Sequence, residues 1–367
     1  MPISREQQVL ALIREDPMLP QQAIAARLGM SRSAVAGHIM NLASKGVIKG
    51  RGYVLGDAPF VAVIGGANID IHGKSNNTLR ASDSNPGVVH TSAGGVARNI
   101  AENMARLGID CRLISAIGRD HNGQMLMRLC RDAGIDMQYV HEIESVPTST
   151  YLSVLDDKGD MRVAIADMSI IDELGAARLQ PQQAMLAHAS LLILDANLVD
   201  DAIAWLTGTF ADKVIFADTV STTKAPRLRP YLASIHTLKT STIEVEALTG
   251  CQARTQAQLR EVAGDLHAEG VERVFITRGA AGVFYSANDT HGNEKLKGPK
   301  REVLNAGGAG DAFLAGLAYA WLTDLPLDKT LSFALAAADI TVSHPATINP
   351  ALTLAAVNRA MEAQHAC

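Results

Sequence analysis

Asn305-Ala306-Gly307-Gly308-Ala309-Gly310-Asp311-Ala312-Phe313 is the stretch that decides how this chain reads. A short β-leaning run, Arg301 to Leu304, leads into it, and the Ala/Leu-rich segment Ala312 to Leu322 that follows reads as a helix. Three glycines in four residues let the backbone come close to a ligand. The helix start aims its unpaired amides at the same spot and favours negative charge, either a fixed phosphate or the charge building on a phosphoryl group in transfer. A carboxylate would ordinarily be repelled there. Asp311 makes sense as a general base that takes a proton from an attacking hydroxyl. The alternative at this point is a glycine-rich turn in which Asp311 only caps a helix, and the rest of the chain has to separate the two.

Composition narrows the classes. With 367 residues the chain is long enough for two domains. Apolar residues make up 47% and aromatics 4%, so the cores are expected to be aliphatic. No apolar run reaches the roughly 20 residues that a membrane helix needs. The first residues show no charged-then-apolar targeting pattern, so the expected location is the cytoplasm. Cys111, Cys130, Cys251 and Cys367 lie without metal-ligand spacing, as expected of reduced, mostly buried thiols. The net charge of −5 is uneven: residues 1–57 hold seven Lys/Arg against four Asp/Glu, net +3, which leaves −8 for the remainder. The N-terminal piece therefore suits an anionic partner.

That piece has its own pattern. Residues 4–16 read as an amphipathic helix, Gln21 to Leu28 as a second helix stopped by Gly29, and Arg32 to Ser44 as a third capped by Ser31. Val35, Ile39 and Leu42 of the third helix are expected to face inward. The tight turn between the last two helices, followed by a basic Gly-rich run from Gly46 to Leu55, is similar to a winged helix-turn-helix. On that likeness Arg32, Ser33 and His38 would face a DNA groove, with Lys49 and Arg51 on the wing. The alternative is a small helical module for dimerisation or docking.

After the linker Gly56-Asp57-Ala58-Pro59, Phe60 to Ile64 reads as a buried strand ending at Gly65-Gly66-Ala67-Asn68-Ile69-Asp70. Ligand groups gather at the carboxyl ends of parallel strands, which places Asn68 and Asp70 well. Residues 72–92 read as polar and irregular. Gly94 and Gly95 then open a helix buried along Ile100, Met104 and Leu107. Beyond Cys111 strands and helices alternate, with a hairpin around Asp156-Asp157-Lys158-Gly159, and such alternation implies a mostly parallel sheet covered on both faces.

Gly94-Gly95-x-x-x-Asn99 and Gly308-Ala309-Gly310-Asp311-Ala312-Phe313, in this order over such an alternation, resemble the two signatures of the ribokinase-like, or PfkB, carbohydrate kinases. Within that family the likeness is strongest to the bacterial pseudouridine kinases. It is carried by Ser82 to Gly87, Gly94 to Ala101, Tyr151 to Asp156 and His236 to Lys239.

The resemblance implies an α/β three-layer sandwich over residues 58–367, a small β lid at about 70–93 and 148–168, and a homodimer joined through the lid. It implies transfer of the ATP γ-phosphate, with Mg2+, to the 5′-hydroxyl of a ribonucleoside, pseudouridine first. Other nucleosides, a sugar, or a nucleoside-sensing regulator are the alternatives. Asp311 would be the base and the amides of Gly308, Ala309 and Gly310 the anion hole. Asp70, Gly94, Gly95 and Asn99 would hold the ribose, with Asn68, Ser84, Asn85, Arg98 and Asp195 close to the sugar or base. Thr277 and Gly279 would contact the nucleotide, and Glu244 would act on magnesium through water. Two positions depart from the family pattern: Ser241 stands for the Asn of Asn-x-x-Glu, with Lys239 as a substitute for its phosphate contact, and Asn305 stands for an Asp that usually helps to hold a monovalent cation. Potassium activation is therefore in doubt.

Overall fold

Along the strand Val61–Ile64, Val61 and Val63 face one apolar core while Ala62 and Ile64 face another. The strand Leu191–Asp195 divides its side chains in the same way, Leu191 and Ile193 to one side and Leu192 and Leu194 to the other. Since strand side chains alternate, two cores mean a sheet buried on both faces, which explains why these strands read as continuous apolar runs. The computed structural model describes residues 4–48, 59–287, 290–295 and 302–365. The chain divides into two units, Met1–Pro59 and Phe60–Cys367.

In the larger unit the described residues form an eight-stranded sheet in the order Thr290–Glu294, Val283–Ala287, Arg273–Thr277, Thr237–Ser241, Ile215–Asp218, Leu191–Asp195, Val61–Ile64, Cys111–Ile114. The pairings from Cys111–Ile114 to Arg273–Thr277 are parallel, and the two strands at the opposite edge are antiparallel. One face is covered by the helices Val96–Arg106, His121–Asp132, Ala309–Leu322 and Leu327–Val342, through Ile100, Leu126, Phe313 and Leu331 among others. The other is covered by Asp200–Thr209, Thr242–Thr249 and Gln256–Ala268 through Leu206, Val245 and Leu259.

A second sheet, Gly87–Gly94, Asn68–Ser75, Thr150–Leu155, Met161–Asp167 in spatial order, forms the lid. Here residues 72–92 differ from their sequence reading, because Asn68–Ser75 and Gly87–Gly94 pair antiparallel along their whole length. Their strand pattern is hidden because Gly87 to Thr91 of the second strand are exposed on both faces, and the facing His72, Gly73 and Lys74 are polar or lack a side chain, which leaves no apolar alternation. The turn at Asp156 to Gly159 closes the other hairpin as expected.

Two further boundaries move. Glu302 to Leu304 are not a strand, and Arg301 lies outside the described residues. The helix after the glycine motif begins at Ala309, three residues earlier than Ala312, because Gly308 caps it in a left-handed conformation, φ 77°. A side chain at Gly308 would collide with the Thr347 carbonyl, so only glycine fits.

The smaller unit packs three helices, Arg5–Glu15, Gln21–Leu28 and Arg32–Ser44, around Val9, Ile13, Ile24, Val35 and Leu42. Ser4 and Ser31 cap the first and third, and Gly29 ends the second in the left-handed region. Arg32 and Ser33 are exposed at the start of the third helix and His38 is half-buried on it. The wing was expected between Gly46 and Leu55, but residues 49–58, with Lys49 and Arg51, lie outside the described residues.

Candidate active site

Asp311 sits in the first turn of the Ala309–Leu322 helix and is buried. Its Oδ2 accepts a hydrogen bond of 2.8 Å from Asn99 Nδ2, so the two glycine motifs meet at one carboxylate. The first amides of this helix have no intrahelical partner. Burial, and then the negative charge of Asp218, push the Asp311 carboxyl up to about 7, against the pull of Lys239 and Asn99. A carboxylate poised near neutrality beside an anion-binding helix start is suited to accept a proton from a hydroxyl.

Lys239 enters from the strand Thr237–Ser241. Its Nζ is buried, donates to Asp218 Oδ2 at 2.9 Å, and lies so close to Gly310 that a side chain there would have to displace it. Asp218, Glu244 and Asp311 hold its ammonium above its ordinary range despite burial. Asp218, the last residue of the strand Ile215–Asp218, is not among the residues named from the sequence. A carboxylate closing a parallel strand, as Asp195 does, was the available signal. Asp218 Oδ1 also accepts from the Val220 amide at 2.8 Å and holds Val220 at φ 63°, a strained conformation for a β-branched residue.

Glu244 completes a capping box with Ser241: Ser241 Oγ accepts from the Glu244 amide, and Glu244 Oε2 accepts from the Ser241 amide at 2.9 Å. Oε2 also accepts from Thr219 Oγ1 at 2.7 Å, which leaves Oε1 without a hydrogen bond among the described residues. The described residues hold no group of three or more His, Cys, Asp or Glu side chains able to cage a metal. One oriented carboxylate oxygen fits a cation carried mainly by phosphate and water. Beside Gly310 opens a cavity of about 460 Å³, with Thr277, Gly279, Ala309, Phe313 and Asp339 among its walls. Its apolar lining next to a helix start suits a nucleotide base and its phosphates.

On the lid, Asn68 Nδ2 donates to Asp70 Oδ1 at 2.7 Å, and the Asp70 carboxylate lies directly over Gly94. Any side chain at 94 would displace it. Burial pushes the Asp70 carboxyl up, opposed by the Asn68 hydrogen bond and by the His72 and Arg98 charges. Gly95 caps the helix that delivers Asn99.

Four expected substrate contacts are placed elsewhere. Asp195 is fully buried, and its carboxylate accepts from the amides of Gly66, Ala97 and Asn197, each at 2.9 Å. It clamps the first strand's exit turn to the start of the Val96 helix and has no surface left for a sugar. Arg98 is buried against Glu102, which also pairs with Arg106, and its Nη1 donates to the Ala93 carbonyl and to Asn99 Oδ1. It orients Asn99 and does not face the cleft. Ser84 and Asn85 lie in the loop at the far tip of the lid hairpin, where Asn85 is consumed by the Arg80 backbone and the Asp83 carbonyl.

A doubly covered, mostly parallel sheet with a β lid, a buried carboxylate at a helix start and a cavity beside it fit an ATP-dependent phosphotransferase. The chain belongs to the pfkB family of carbohydrate kinases, whose profile matches residues 58–354, while residues 4–49 match a winged helix-turn-helix DNA-binding profile. It is 37% identical over 351 residues to an Escherichia coli K12 protein described as "Uncharacterized sugar kinase YeiI", covering 95% of this chain and 96% of that one. Over 302 residues it is 38% identical to the E. coli K12 pseudouridine kinase, covering 81% and 95%. Among solved structures, a carbohydrate kinase from Agrobacterium tumefaciens superposes with a TM-score of 0.74 at 28% identity, covering 84% of this chain and 98% of that one. The protein is thus a sugar or nucleoside kinase of the pfkB family with a winged helix-turn-helix unit in front.

Proposed function

We propose that this protein is an ATP-dependent nucleoside kinase that phosphorylates the 5′-hydroxyl of a ribonucleoside, pseudouridine first. The observation that carries the reading is the buried Asp311 carboxylate, held by Asn99 at the helix start, with Asp70 lying over the glycine that leads to the same Asn99 helix. The 38% identity to a pseudouridine kinase supports the choice of nucleoside.

In this mechanism Asp70 accepts from the vicinal ribose 2′- and 3′-hydroxyls, with Gly95 and Asn99 beside them. The 5′-hydroxyl then points at Asp311. Asp311 takes its proton as the new O–P bond forms and the bond from the γ-phosphorus to the β,γ-bridging oxygen breaks, releasing ADP. The amides of Gly308, Ala309 and Gly310 stabilise the charge on the transferring group, and the Lys239 ammonium adds a fixed positive charge beside Gly310. The nucleotide occupies the cavity bordered by Thr277 and Gly279, and Ser241, paired with Thr277 across the sheet, is the proposed phosphate-side contact. Magnesium, when bound with the nucleotide, neutralises phosphate charge, and Glu244 Oε1 is the group that would hold it through water.

The domain reading keeps 1–57 as a DNA-binding module and 58–367 as the kinase, in a cytoplasmic homodimer. Arg32, Ser33 and His38 are the residues to face DNA, with Lys49 and Arg51 on the wing. Dimerisation is supported by Val89, Leu152 and Ile165, exposed apolar side chains on the lid face opposite Asp70. The test is ADP release with Mg-ATP against pseudouridine, uridine, cytidine, inosine, guanosine, adenosine and free ribose. Turnover of a nucleoside well above ribose is expected, and turnover of ribose alone overturns the reading. The helix-turn-helix match favours a second reading, a nucleoside-sensing regulator: nucleoside that binds without turnover and alters DNA retention would establish it.

A further inference from the structure

The lid's central strand carries more than Asp70 on the face turned to the site. Asn68, Asp70 and His72 alternate along it, so they share that face, and the ladder sets Asp70 beside Tyr151 and His72 beside Ser153. His72 Nδ1 is 2.6 Å from the Oγ of Ser153, which is itself 2% exposed and therefore fixed. The ring is only half-buried, and its Nε2 carries no hydrogen bond among the described residues. The His72 side chain thus has one nitrogen anchored in the lid and the other without a hydrogen-bond partner among the described residues, on the strand face that carries Asp70. It lies two positions along the strand from Asp70, a distance of about 7 Å. That is roughly the span from a ribose diol to the polar edge of the base on the same sugar.

Resting on the nucleoside reading above, we infer that His72, oriented by Ser153, is a specificity-determining residue that hydrogen-bonds the heterocyclic base of a nucleoside whose ribose lies on Asp70. An unsubstituted sugar has nothing at this position. The kinase therefore gains nucleoside affinity from a contact remote from the reacting hydroxyl, which acts on ground state and transition state alike and enters KM and not kcat. Ser153 is a positioning residue, because it acts only through the ring.

The full-length protein is compared with His72→Ala, His72→Gln and Ser153→Ala in the ADP-release assay. Loss of one neutral hydrogen bond corresponds to about tenfold in affinity. His72→Ala is expected to raise the nucleoside KM by about tenfold with kcat within twofold. The inhibition constant of free ribose against the nucleoside should stay unchanged, because ribose does not reach residue 72. His72→Gln, which keeps a donor and an acceptor, should recover part of the loss, and Ser153→Ala should raise KM by a smaller factor for nucleosides only. An unchanged nucleoside KM in His72→Ala, or an equal loss for ribose, overturns the inference while leaving the nucleoside kinase standing. A wild-type protein without nucleoside turnover removes the underlying reading, and this inference with it.

Discussion

Asn99 Nδ2 donates to Asp311 Oδ2 at 2.8 Å and joins two glycine motifs that lie 212 positions apart in the chain. Oδ1 of Asp311 carries no hydrogen bond among the described residues and is the oxygen left to receive a proton. Asn99 is itself set by Arg98, whose guanidinium donates to its Oδ1 at 2.9 Å and is locked in turn by Glu102. The carboxylate is therefore aimed by a relay of buried polar contacts. Such pre-orientation supplies much of the rate in phosphoryl transfer.

The first prediction follows from that relay. Asp311→Asn keeps the shape and removes the proton acceptor, so kcat should fall by about 10²- to 10⁴-fold while nucleoside affinity holds. Asn99→Ala leaves the base but frees its orientation, and a loss of about ten- to a hundredfold in kcat is expected. Steady-state kinetics with thermal-shift binding separates the two, and near wild-type turnover by Asp311→Asn would sink the mechanism.

The second concerns pH. As the proposed base, Asp311 must be ionised to act, and its carboxyl is pushed up to about 7, so kcat/KM should climb as pH rises through neutrality. Asp218→Asn removes the neighbouring charge that raises it and releases Lys239 from its partner, and both changes move the acid limb to lower pH. For stability the sign is opposite to a salt-bridged carboxylate. A folded value above the ordinary 3.8 means this group costs nothing below that pH, and its cost is complete once pH exceeds about 7. A limb that stays fixed in Asp218→Asn would show that another group titrates.

Much of the fold was legible because its central strands are buried on both faces and its helices alternate with them. Val61–Ile64 and Leu191–Asp195 are apolar runs of strand length, and Gly29 and Ser31 announce helix ends by their chemistry. The first lid hairpin was hidden because Gly87 to Thr91 are exposed on both faces, so no in-out alternation marks them. Site residues at strand ends could be nominated from topology, but sequence does not tell whether a carboxylate faces the cleft or the scaffold. Asp70 and Asp195 both follow buried strands, yet one lies half-exposed over Gly94 and the other is sealed by three amides. Arg98 was ambiguous for the same reason, because its partner Glu102 is one helical turn away and reads equally well as a surface pair.

Asp195 yields the third prediction. Removing it leaves three amides without an acceptor, and the two buried ones, of Ala97 and Asn197, cost about 1–3 kcal/mol each. Asp195→Ala should therefore lower the thermal midpoint by many degrees or abolish soluble expression. Asp195→Asn, which keeps one acceptor oxygen, should be milder. The discriminating measurement is thermal denaturation set beside KM: a raised KM at unchanged stability would return Asp195 to the substrate site.

The fourth prediction concerns monovalent cations and turns on Asn305. Where the family pattern has an Asp that helps to hold such a cation, Asn305 Nδ2 donates to the Pro345 carbonyl at 2.9 Å, and Oδ1 accepts from the Gly307 amide at 2.8 Å. The neutral amide thus links the two loops directly and brings its own donor to the carbonyl, so neither loop needs a positive ion to hold it against the other. A carboxylate in its place would have no hydrogen to give Pro345 and would set negative charge beside a carbonyl oxygen, an arrangement that a cation relieves. Exchanging potassium for sodium or choline at constant ionic strength should change kcat by less than about twofold in the wild-type protein. Asn305→Asp should be slower in choline and recover with potassium, because only then do the carboxylate and the Pro345 oxygen share a charge to coordinate. A strong potassium requirement in the wild-type protein would mean that the Asn305 bridge does not replace the ion.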